Sequence, residues 1–71
     1  MAREATIHRI SPYELHGVLY FQIFVSFVDT PDSVREVRLA HDAVYSSPSE
    51  GDHVTVETML SMITEVRKKD D

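Results

Sequence analysis

The chain has no cysteine, no tryptophan and no asparagine, and only two glycines and three prolines in 71 residues. Without cysteine there is no disulfide, no thiolate zinc site and no thiol nucleophile. Without asparagine there is no N-glycosylation site. Two glycines cannot build a phosphate-cradling loop. The first residues, Met1-Ala2-Arg3-Glu4-Ala5-Thr6, lack an apolar core and carry Glu4, so they do not read as a secretory signal. The longest apolar run, residues 18–28, falls short of the roughly 20 residues that cross a bilayer. These absences point to a cytoplasmic protein with no membrane partner. Positive charge is also scarce. Seven basic residues face twelve acidic ones, for a formal net charge of −5. Binding to a phosphate backbone is driven by Lys and Arg displacing counterions. Nucleic acid is therefore the lesser partner expectation, and a basic protein the greater.

What is present is a long apolar strand. Gly17 to Val28 reads Gly-Val-Leu-Tyr-Phe-Gln-Ile-Phe-Val-Ser-Phe-Val. It is rich in β-branched and aromatic residues, which favour a pleated backbone. Leu19, Phe21, Ile23, Val25 and Phe27 share one face by alternation. Val18, Tyr20, Gln22, Phe24, Ser26 and Val28 share the other. The second face is too apolar for a fully wet surface, so it is either covered or presented to a partner.

Punctuation divides the rest of a single small domain. Ser11-Pro12 breaks the first segment, and Thr6 to Ile10 reads as a short edge strand. Asp29-Thr30-Pro31-Asp32-Ser33 has turn chemistry and joins the long strand to Val34–Ala40 as a hairpin. His41 to Tyr45 either extends that third strand or makes one helical turn. Ser46 to Asp52 is a loop. Residues 68–71, a run of charges, are expected to be a disordered or frayed tail.

The C-terminal segment reads both ways. At period 2, Val54, Val56, Leu60, Met62 and Val66 share a face. At period 3.6, Val56, Met59, Leu60, Ile63 and Val66 make a stripe, which would give a helix over 55–69 on a three-stranded sheet. Pro48-Ser49-Glu50-Gly51-Asp52-His53-Val54-Thr55-Val56 favours strands. It resembles the P-x-x-G-D-x-V-x-V passage of small SH3-like and OB-like barrels, in which a Gly-Asp turn feeds a strand and a second strand follows a short corner. Leu60 to Val66 stands where that second strand comes, with Ser61 where a glycine is common. The resemblance implies a shape and carries over no functional residue.

The expected fold is thus mainly β, a small five-stranded antiparallel SH3-like or OB-like barrel. Its strands lie near 4–10, 17–28, 34–41, 52–58 and 60–67. The expected core is Ile7, Leu19, Phe21, Ile23, Val25, Phe27, Val37, Leu39, Val54, Val56, Leu60 and Val66.

No catalytic signature is present. His8, His16, His41 and His53 match no ligand spacing, and Asp29/Asp32 and Glu50/Asp52 sit in turns where carboxylates bond local backbone. No cofactor, metal site or enzymatic role is expected. The expected function is a non-catalytic binding or adaptor module acting through protein–protein contact, with a homodimer as one form of it. Tyr20, Gln22 and Phe24 form the candidate contact face, and Asp29, Asp32 and Asp42 are expected to steer a basic partner. Two further readings remain: an OB-like nucleic-acid binder stacking bases on Tyr20 and Phe24, and an acidic mimic of nucleic acid that occupies a basic protein.

Overall fold

The computed structural model describes residues 2–69. It contains five strands: β1 (Ala2–Leu15), β2 (Val18–Phe27), β3 (Val34–Ala40), β4 (His53–Met59) and β5 (Met62–Lys68). A single 3₁₀ turn, His41–Ala43, follows β3. All strand-to-strand ladders are antiparallel, and the sheet order is β3-β2-β1-β4-β5. The mainly-β, five-stranded antiparallel class is the observed one. The helix over 55–69 is overturned, because β4 and β5 pair as a hairpin.

β1 is the organising strand. Its first part pairs with β2 on one side and β4 on the other, while the part beyond Thr6 pairs in a ladder with β2 alone. A bulge between Ile7 and Arg9 separates the two parts. The expected break at Pro12 is corrected, since β1 runs through it to Leu15. The reason is parity. Ile7 exchanges both backbone bonds with the β4 side, to Asp52 and Gly51, while the Glu4 carbonyl faces β2 and accepts from Val28. One extra residue at the bulge swaps the sides. Past it, even-numbered residues aim their backbone groups at the open edge, where a missing Pro12 N–H breaks no ladder bond.

Two tight two-residue turns set the register. His16 and Gly17 have φ of 52° and 79°. Gly17 thus lies in the turn and does not open the strand. Leu60 and Ser61 have φ of 50° and 69°. The corner where a glycine is common therefore carries the positive φ that favours one.

The core lies on the concave face. It comprises Ala5, Ile7, Ile23, Val25, Phe27, Val44, Val54, Val56, Ile63 and Val66, with Ile10, Phe21, Val37, Leu39 and Tyr45 packed against it half-buried. Two expected core residues are on the surface: Leu19 is 41% exposed and Leu60 93% exposed. Leu19 lies on the correct face of β2, but in the hairpin end that extends past β4. Leu60 is in a turn, not a strand. Ile63 replaces it inside, because the turn and an irregularity next to Thr58 shift the alternation of β5.

The sheet curls, but its ladder stops short of a closed barrel. The edge strands β3 and β5 run in the same direction, linked by a guanidinium bond from Arg35 to the Ser61 carbonyl. A lone parallel bridge pairs Val44, just past β3, with Val66 of β5. The loop before β4 is held by the Tyr45 hydroxyl, which donates to the Asp52 carboxylate, and by the Ser49 N–H, which donates to the same oxygen at 3.1 Å. Lys68 ends β5, and the Lys69 N–H donates to the His53 carbonyl. Asp70 and Asp71 lie outside the described residues.

Candidate contact face

Cross-strand partners in an antiparallel ladder share a face. The registers of β1, β2 and β3 therefore write out the convex face row by row. Arg9, Phe24 and Glu36 form one row. Ser11, Gln22 and Arg38 form the next, then Tyr13, Tyr20 and Ala40, and last Leu15 with Val18 at the hairpin end. Tyr20, Gln22 and Phe24 thus line up along the middle strand. All three are half-buried.

The face is ordered by its own contacts. Tyr13 and Tyr20 stack with ring centroids 5.5 Å apart and planes 16° from parallel, a geometry that adds about 0.5–1.5 kcal/mol beyond area burial. The Gln22 amide donates to Glu36 Oε2, and Arg38 Nε donates to the same oxygen at 3.1 Å. The Gln22 bond, then the Arg38 bond, hold the Glu36 carboxyl below its ordinary range. At the far end of the face the bulge brings His8 over Ser26, with Nε2 2.6 Å from Oγ. That contact accounts for a serine that is only 5% exposed.

Of the acidic residues expected around this face, Asp29 and Asp32 lie away from it. They sit in the β2–β3 turn, beyond the end of β2 that is about 23 Å from Tyr20 at 3.3 Å per residue. Asp29 is paired with Arg3 at 2.8 Å. Asp42, in the 3₁₀ turn just after Ala40, is on the Tyr20 side of the molecule. Tyr13, Arg9 and Glu36 belong to the face and were missed. The signal for them was present: a two-residue turn at His16-Gly17 sets Leu15 opposite Val18 and Tyr13 opposite Tyr20.

Elsewhere, Arg3 and Arg35 lie over the buried Phe27 ring at 3.7 and 5.9 Å from its centroid. They close the end of the core beneath the β2–β3 turn. Several basic residues elsewhere are matched with acids: Arg38 with Glu36, Arg67 with Glu57 and Glu65, Lys69 with Glu4. No three His, Asp or Glu side chains converge as metal ligands among the described residues. No helix among them is long and apolar enough to cross a membrane. Comparison with known proteins finds no matching family model, no matching curated protein and no matching solved structure.

Proposed function

We propose that this chain is a non-catalytic binding module that acts through protein–protein contact on the convex face of β1, β2 and β3. The observation that carries the reading is the three-residue line Tyr20, Gln22 and Phe24, half-buried along the middle strand of β1, β2 and β3 on the face opposite the core. Interfaces favour aromatic residues at their centre with polar groups around them. Here Tyr13, Tyr20 and Phe24 supply the first, and Arg9, Gln22, Glu36 and Arg38 the second. The stacked tyrosines and the Gln22–Glu36–Arg38 bonds hold these side chains in place before binding, which lowers the entropic cost of association.

The test combines folding and cross-linking. A photoreactive side chain at Gln22 should give one discrete cross-linked product, and the same group at Glu50 none. Tyr20→Ala with Phe24→Ala should remain folded by circular dichroism and abolish the product. Unfolding of that double variant, or equal cross-linking from both positions, would overturn the reading.

A further inference from the structure

Resting on that reading of the convex face, we infer that its partner is a second copy of this chain, related by a twofold axis that runs along β2. Such an axis lays β2 on β2 and sets β1 of each copy over β3 of the other. Each of the three rows that span all three strands then meets its complement. Arg9, on one side of Phe24, faces the partner's Glu36, on the other side of the partner's Phe24, and the contact repeats by symmetry. Ser11 faces the partner's Arg38, an acceptor against a donor. Tyr13 faces the partner's Ala40, a large side chain against a small one.

The charges are free to do this. Arg9 is exposed and has no polar partner among the described residues. Glu36 takes both of its bonds on Oε2, which leaves Oε1 open. The other in-plane axis, across the strands, would set Arg9 over the partner's apolar hairpin end and leave both charges unmatched. Pairing through the open edge of β1 is blocked at Pro12, which offers no N–H there. Three strands about 4.8 Å apart, carrying four rows about 6.6 Å apart, make a face of roughly 14 by 26 Å, below the about 800 Å² per partner of a standard interface. A face of that size fits a weak, transient dimer.

Sedimentation equilibrium, carried up to millimolar chain concentration because the dimer is weak, decides it. The wild-type mass should rise from 8.1 kDa toward twice that value. Arg9→Glu and Glu36→Arg should each weaken association at least tenfold while keeping the fold. An equimolar mixture of the two should associate again, because each opposed pair regains one positive and one negative member. The double reversal in one chain should do the same. A wild type that stays at 8.1 kDa throughout overturns the proposal. So do single reversals that associate like wild type, or a mixture that does not recover. A monomeric wild type whose Tyr20→Ala, Phe24→Ala variant folds defeats the dimer alone. An unfolded double variant defeats the contact face itself.

Discussion

At the scale of single residues, strain and titration give the sharpest expectations. Leu60 and Ser61 hold left-handed backbone in a fully exposed turn without being glycine or asparagine. Side-chain-bearing residues in that region carry a conformational penalty, and Gly or Asn relieves it. Ser61→Gly and Leu60→Asn should each stabilise the fold by about 0.5–1 kcal/mol. Thermal unfolding should register this as a rise of roughly 4 °C per variant, and a fall in midpoint would contradict the turn geometry.

Tyr45 and Asp52 form a pair with opposite pH behaviour. Burial first, and the bond to Asp52 second, push the Tyr45 hydroxyl above its ordinary value of 10.0. A raised group gives stability that is complete below its unfolded value and is lost as pH climbs toward the folded one. The Asp52 carboxyl is held below its ordinary 3.8, chiefly by the Tyr45 bond. Its contribution is present above the unfolded value and lost as pH falls toward the folded one. Wild type should therefore lose stability more steeply above pH 10.0 than Tyr45→Phe does. Denaturant midpoints measured across pH check this, and parallel curves would refute it.

At the scale of elements, the long β1–β2 hairpin and the β4–β5 hairpin differ in how they are protected. Beyond Ile7, β1 has a free edge, and free edges invite pairing with other chains. Pro12 sits on that edge with no N–H to offer. Pro12→Val restores a donor and adds β propensity, so it should increase concentration-dependent aggregation, read by light scattering beside wild type. Unchanged scattering would mean that the even-numbered backbone groups do not face the edge. In the β4–β5 hairpin, the alternation places Ile63 inside and Leu60 outside. Ile63→Ala should cost about 2–4 kcal/mol, and Leu60→Ala less than about 0.5 kcal/mol. Equal losses in urea unfolding would reverse that assignment.

At the scale of the whole molecule, the class of fold was legible because five apolar segments alternate between clear breaks. β2 and the β2–β3 turn could be read from composition, since Val, Ile and Phe at period 2 admit little else. The C-terminal register could not, because Leu60 and Ile63 fit two patterns until the two-residue turn is known. Pro12 misled for a physical reason: whether proline ends a strand depends on which side its nitrogen faces, a property of the sheet and not of the segment. Tyr20, Gln22 and Phe24 were legible as a line on one face. Their neighbours Tyr13, Arg9 and Glu36 depend on cross-strand register, set for the first two by the His16-Gly17 turn and for Glu36 by the β2–β3 ladder. Asp29 and Asp32 were attributed to that face by charge alone, and strand length carries them to the opposite end.

The most direct measurement is relaxation of side-chain protons by a soluble gadolinium agent, in a dilute sample where the chain is a single 8.1 kDa unit. The Tyr13, Tyr20 and Phe24 rings should broaden strongly, and Ile23, Val25 and Val56 should be protected. Protection of Tyr20 and Phe24 to the level of Val25 would mean that the chain covers its own convex face. The contact surface would then not exist.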